Sequence, residues 1–125
     1  MYEILLVGSG GFIGSVLRYL VSSGVHRLFR EPILPYGTLA VNISGCLLIG
    51  FLGGVAENKQ LLTADVRLFL FLGMLGGFTT FSSFGYETFQ LFRGMHTLAA
   101  LANIFLQMAL GLTAVYLGHL GARSL

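Results

Sequence analysis

Gly73-Met74-Leu75-Gly76-Gly77-Phe78-Thr79-Thr80-Phe81-Ser82-Ser83-Phe84-Gly85-Tyr86-Glu87 is the stretch on which the fold turns. It lies within a mostly apolar run, Leu68–Phe92, long enough to cross a bilayer core, which needs about 20 residues of helix. Paired glycines followed by two threonines and two serines weaken helical preference midway across. We therefore expect the helix to break there. Backbone groups released inside hydrocarbon are tolerated only where protein buries them or where they line a wet or ion-filled cavity. At breaks of this kind amides face anions and carbonyls face cations. The plainer alternative is a continuous helix, kinked at Gly and Ser and packed against its neighbours.

Working outward, three more runs of membrane length appear: Ile4–Ser23, Tyr36–Ala56 and Thr97–Gly118. The chain of 125 residues is 55% hydrophobic and 10% charged, with a mean hydropathy of +0.84. A soluble domain carries about a quarter charged residues, so this chain has too little polar surface to cover a globule in water. Eighteen glycines add small residues that let helices approach closely in lipid. The expectation is an all-α membrane protein, residues 1–125 forming a single domain of four transmembrane helices with the third one broken. No soluble domain and no cleavable signal peptide are expected, since Glu3 stands where a basic start would be and Arg18 interrupts the first run. The placement is multi-pass in the cell (inner or plasma) membrane.

Charges fall between the runs: Arg27, Arg30 and Glu31, then Glu57, Lys59, Asp65 and Arg67, then Arg93 and His96. Lys and Arg usually accumulate on the cytoplasmic side. Here Lys59, Arg67 and Arg123 on the side of both termini balance Arg27, Arg30 and Arg93 on the other, three against three. Such balance favours neither orientation, so copies inserted both ways could pair antiparallel about an axis in the membrane plane. A chance balance with a single orientation is the other reading, and charge alone leaves both open. Net charge is +2 without a basic patch, which gives nucleic-acid binding nothing to rest on. Cys46, the lone cysteine, reads as a small packing residue.

Gly8, Gly11 and Gly14 follow Ile4-Leu5-Leu6-Val7 in the manner of a nucleotide-binding turn, with Glu31 about where a ribose-binding acid would stand. A dinucleotide-binding unit needs alternating strands and amphipathic helices, and three further membrane-length runs leave no room for them. The same glycines, with Gly10 and Gly14 making GxxxG, give a smooth helix face for close packing. Arg18 on that helix either faces protein or water, where it would raise the potential for an anion, or snorkels to the nearer interface.

The candidate ion path is read from a few polar groups. Phe81 and Phe84, three apart, share one face of a helix. A phenyl ring is positive at its edge and negative on its face, so an edge-on ring can meet a small anion. Asn42 sits midway along the second run and can donate two hydrogen bonds. Asn103 and Gln107, four apart, make one polar stripe on the fourth run. Each amide alone could simply glue helices together. Together with the hydroxyls of Ser82 and Ser83, and with no acid buried among them, they suggest a donor-lined path for an anion.

Three pieces of the chain, Gly10-Gly11-Phe12-Ile13-Gly14-Ser15-Val16-Leu17-Arg18, Gly37-Thr38-Leu39-Ala40-Val41-Asn42 and Gly76-Gly77-Phe78-Thr79-Thr80-Phe81-Ser82-Ser83-Phe84, resemble the Fluc (CrcB-type) fluoride channel family. The resemblance runs over essentially the whole chain. It implies an antiparallel, dual-topology homodimer with two fluoride pathways that passively export fluoride and relieve its toxicity. It also implies that Phe81, Phe84 and Asn42 line the pore. The carbonyls of Gly76 and Thr79 would hold one structural sodium ion on the dimer axis. Many members have Tyr and Ser where this chain has Asn103 and Gln107. Fluoride is small and tightly hydrated, so a selective path must replace water's donors with amides, hydroxyls and ring edges.

Two other classes remain in view. A dual-topology antiporter for cationic drugs would need a carboxylate embedded in the membrane, and Glu3 and Glu87 lie near run ends. A non-conducting accessory subunit would use the same polar residues only to bind helices together. An enzyme is not expected, because His26, His96 and His119 are scattered near run ends with no nucleophile beside them.

Overall fold

The computed structural model of the chain describes residues 1–59 and 61–125. Four segments are long and apolar enough to cross a membrane: Tyr2–Leu28, Tyr36–Glu57, Ala64–Arg93 and Thr97–Arg123. The described residues form helices and short connections, with no strand among them. Helix α1 spans Tyr2–Leu28 and α2 spans Tyr36–Lys59. The third crossing is composite. Helix α3 (Ala64–Arg67) runs into a π-helical stretch, Leu68–Leu75, then α4 (Gly76–Phe78) and α5 (Phe81–Arg93). Helix α6 (Thr97–Arg123) closes the fold.

The helix ends follow from local chemistry. Helix α1 has Glu3 in its first turn and His26 and Arg27 in its last, the order that suits a helix dipole. Thr63 caps α3 and Thr80 caps α5, each side-chain oxygen accepting an N–H three residues on. Between α4 and α5, Thr79 (φ −81°, ψ 158°) and Thr80 (φ −151°, ψ 113°) take extended backbone. Each crossing runs beyond the span read from hydropathy. Arg27, Glu57, Asp65, Arg67 and Arg93 thus belong to helix ends rather than to loops. Hydropathy marks where charge begins, whereas the backbone keeps its hydrogen bonds into the interfacial layer.

Small residues set the packing. A methyl group built on Gly10 would lie 2.5 Å from the Phe69 carbonyl oxygen and 2.9 Å from the Met74 nitrogen. One on Gly14 would lie 2.8 Å from the Phe78 nitrogen and closer still to the Met74 oxygen. The first half of the third crossing is therefore packed backbone to backbone against α1. Gly8 has nothing near it, whereas a methyl group on Gly77 would lie 2.6 Å from the Gly11 oxygen, so the close face comprises Gly10, Gly11 and Gly14 and leaves out Gly8. The α2–α6 seam is the broadest in the molecule and is built the same way, with Gly50 against Val115 and Gly118 against Leu47 and Phe51. Residue numbers rise together along both seams, so α1 runs parallel to the third crossing and α2 parallel to α6. The second half of that crossing, α5, turns to α6 instead. Exchange of partners occurs at Thr79–Thr80.

Few large apolar side chains are buried; Leu75 and Phe78 are examples, whereas Phe12, Leu72, Leu98 and Phe105 are exposed. That is the pattern for a chain whose outer surface meets lipid or another chain rather than water.

Candidate functional site

The Thr79–Thr80 interruption opens onto a cavity of about 350 Å³ lined by Asn42, Cys46, Gly76, Thr79, Thr80, Phe81, Phe84 and Gln107, among others. Three elements converge on it. Helix α2 brings Asn42, α6 brings Gln107, and the first turn of α5 brings both phenylalanines. Their rings touch with centroids 5.5 Å apart and planes inclined at 59°. Phe84 is half-buried, while Phe81 is 80% exposed on the single chain and turns its ring outward.

Asn42 closes on the interruption itself. Thr80 donates its N–H to Asn42 Oδ1 at 2.9 Å, and Asn42 Nδ2 donates back to the Thr80 carbonyl at 3.0 Å. Asn42 Nδ2 also donates to Gln107 Oε1 at 3.2 Å. Gln107 Nε2 is buried and has no hydrogen-bond partner among the described residues. The Thr80 hydroxyl accepts the Ser83 N–H at 3.1 Å, donates to Ser83 Oγ at 3.0 Å and lies 3.3 Å from Ser82 Oγ. Ser82 and Ser83 are thus tied to the start of α5 through Thr80.

These bonds decide which carbonyls are left over. In an unbroken helix Thr80 N–H would go to the Gly76 carbonyl and Ser83 N–H to the Thr79 carbonyl. Here Asn42 takes the first and the Thr80 hydroxyl takes the second. Gly76 and Thr79, the two carbonyls matched to a structural sodium, are thus among four that lose their helical donors at the break, together with those of Gly77 and Phe78. Gly76 is exposed and Thr79 partly so. Oxygen ligands of this kind suit a hard cation. No cluster of three or more His, Cys, Asp or Glu side chains that could hold a metal occurs among the described residues.

Two of the residues expected along the path do not line this cavity. Asn103 is 1% exposed and donates to Thr88 Oγ1 at 2.9 Å, while that hydroxyl donates to the Phe84 carbonyl at 2.7 Å. It lies in the α5–α6 seam behind Phe84. Arg18 does not line the cavity and makes no hydrogen bond or ion pair among the described residues. Sequence reasoning missed Thr80 as a separate element, although Thr is a favoured residue just ahead of a helix start. It also placed Glu87 at a span end. Thr38 donates to Glu87 Oε1 at 2.7 Å, and Oε2 is buried without a partner among the described residues. Glu87 borders a separate recess with His26 and Gln90 near the α1–α2 connection.

The family model described as CrcB-like protein, Camphor Resistance (CrcB), matches residues 5–119. A fluoride-specific ion channel FluC from Clostridium novyi (strain NT) is 44% identical over 115 residues, covering 92% of this chain and 89% of that protein. FluC 1 from Methanosarcina acetivorans is 42% identical over 125 residues, covering 100% and 94%. A FluC from Rhizobium meliloti (strain 1021) is 45% identical over 119 residues, with 94% of each chain covered.

Proposed function

The chain belongs to the CrcB-like family and is a multi-pass membrane protein, and from that premise we propose that it is a fluoride-specific ion channel mediating passive export of fluoride. Transport, not catalysis, is the reading, and residues 1–125 act as one domain. The observation that carries it is the cavity at the interrupted third crossing, where ring edges and amides converge without an acid among them. Phe81 and Phe84 offer edges to the anion, and the buried Nε2 of Gln107 offers free N–H groups. The first N–H groups of α5, from Phe81 and Ser82, start a helix at the same place and have no intrahelical acceptor. Ser82 and Ser83 flank that start. Asn103 supports Phe84 from behind, and Arg18 stays outside the path in this proposal.

The functional unit we propose is an antiparallel homodimer with two pathways, seated in lipid. Phe81 is four-fifths uncovered on one chain, which leaves the cavity unfinished without a partner. The Gly76 and Thr79 carbonyls of two copies would hold one sodium ion on the two-fold axis. When bound, that ion supplies fixed positive charge near the anion path. Lys and Arg balanced across the membrane support dual insertion.

Proteoliposomes containing this chain alone are expected to release fluoride electrogenically while retaining chloride. Equal release of the two halides would reject selectivity. No release of either, or uptake of a cationic dye driven by a proton gradient, would reject the channel. Phe81→Ile and Phe84→Ile should each lower fluoride flux roughly threefold to tenfold, the scale of ring interactions worth about 0.5–1.5 kcal/mol. The dimer should persist on a sizing column. Wild-type flux in both variants would remove the rings from the path.

A further inference from the structure

We infer that Asn42 is a positioning residue that holds the Thr80 peptide and aims the Gln107 amide, and does not itself ligate the anion; the second half of this inference rests on the fluoride-channel reading above. The argument is one of hydrogens. A carboxamide nitrogen carries two of them. Asn42 Nδ2 gives one to the Thr80 carbonyl at 3.0 Å and one to Gln107 Oε1 at 3.2 Å. None is left for an anion. The oxygen of the same amide accepts from Thr80 N–H at 2.9 Å, and its remaining lone pair repels negative charge.

What the amide does instead is supply the partner that the interruption removes. Its donor and acceptor meet the carbonyl and N–H of a single residue, as a neighbouring strand would in a β-ladder. Thr80 is 8% exposed, and an unpaired peptide unit there would be costly. The Thr80 hydroxyl then caps α5 through Ser83, so fixing the Thr80 peptide fixes the axis on which Phe81 and Phe84 stand. The second bond sets the neighbour. With Gln107 Oε1 held by Asn42, Gln107 Nε2 must point away from α2, and it is this nitrogen that is buried without a partner among the described residues. The donor free to meet an anion is therefore Gln107, presented by Asn42.

The test separates the clamp from the ion. Amide hydrogen exchange at Thr80, followed by NMR on the dimer in detergent micelles, should speed up roughly tenfold or more in Asn42→Ala, the scale of one hydrogen bond lost. It should stay at the wild-type rate in Gln107→Leu. Unchanged exchange in Asn42→Ala overturns the clamp, as does equal acceleration in both variants, and neither outcome depends on fluoride conduction. Should Asn42→Ala fail to fold, Asn42→Ser, too short to reach both groups of the Thr80 peptide, replaces it; faster exchange at Thr80 supports the clamp, and the wild-type rate overturns it. Sodium fluoride is then titrated into wild-type protein labelled with ¹⁵N in its side-chain amides, with sodium chloride as control. The Gln107 amide signals should move with fluoride and those of Asn42 should hold still. Movement of the Asn42 signals alone overturns the presentation of Gln107. If neither moves while liposomes still release fluoride, the presentation falls and the channel reading stands.

Discussion

Asn42→Asp is expected to suppress fluoride conduction roughly a thousandfold in a protein that remains folded. The substitution keeps the shape of the side chain and adds a charge facing the cavity that Phe81, Phe84 and Gln107 line. Two like charges about 4 Å apart at an effective dielectric constant near 20 repel by about 4 kcal/mol, and each 1.4 kcal/mol is tenfold. The carboxylate also has no hydrogen for the Thr80 carbonyl or for Gln107 Oε1, both of which Asn42 now satisfies. Gln107 would then turn its nitrogen towards the new acceptor and away from the ion. A fluoride electrode recording efflux from proteoliposomes of matched protein content provides the measurement. Conduction within tenfold of wild type would place Asn42 outside the electrostatic reach of the path.

The second large effect concerns the frame. Gly14→Ala should destabilise the bundle by about 1–3 kcal/mol, the usual cost of forcing a methyl group into a filled site. The upper end applies because the obstacles are the Met74 oxygen and the Phe78 nitrogen, main-chain atoms that cannot rotate aside. Gly118→Ala should cost a similar amount against Leu47 and Phe51, and the two should add because they lie in different seams. Gly24→Ala is the matched control. Nothing lies within 4 Å of its added methyl group, so it should be neutral or slightly stabilising, as alanine is the better helix former. Denaturation midpoints in mixed micelles read all three. Equal midpoints for Gly14→Ala and Gly24→Ala would refute close backbone contact between α1 and the third crossing.

How much of this was legible beforehand differs by feature. Composition and run length were enough for four crossings, because hydrocarbon thickness leaves few alternatives. The Gly76-Gly77 pair and the following Thr and Ser residues marked where the extended residues fall, since that cluster disfavours helix at any depth. The π-helical stretch from Leu68 to Leu75 was not foreseen. Its residues, Leu-Phe-Leu-Phe-Leu-Gly-Met-Leu, are almost uniformly apolar, and periodicity carries little information where lipid and core are equally oily. Contact with α1 accompanies that backbone, and contact partners are not written locally. Gly10 and Gly14 illustrate the same limit: the series of glycines was visible, but which of them touch depends on the facing helix.

Polar residues were easier to find than to assign. Asn42, Gln107, Phe81 and Phe84 do share one cavity. Their counted donors, by contrast, depend on which neighbours take them. Asn42 looked like a supplier of two hydrogens until Thr80 and Gln107 were seen to use both. Asn103 looked equivalent to Gln107, one turn away on α6. That single turn carries it from the cavity into the α5–α6 seam, where Thr88 receives its hydrogen. Glu87 was judged by its distance from the run end, and Thr38 was overlooked as its donor.

The outward-facing ring of Phe81 has a bearing on how the protein behaves when scarce. If each passage borrows a ring from two chains, conductance belongs to pairs and must obey mass action. Diluting the protein with lipid until encounters become rare should then cut flux per chain in proportion to surface density, whereas a self-sufficient unit would lose nothing. Under the antiparallel pairing proposed above, a newly synthesised copy would stay silent until it met one inserted the other way up.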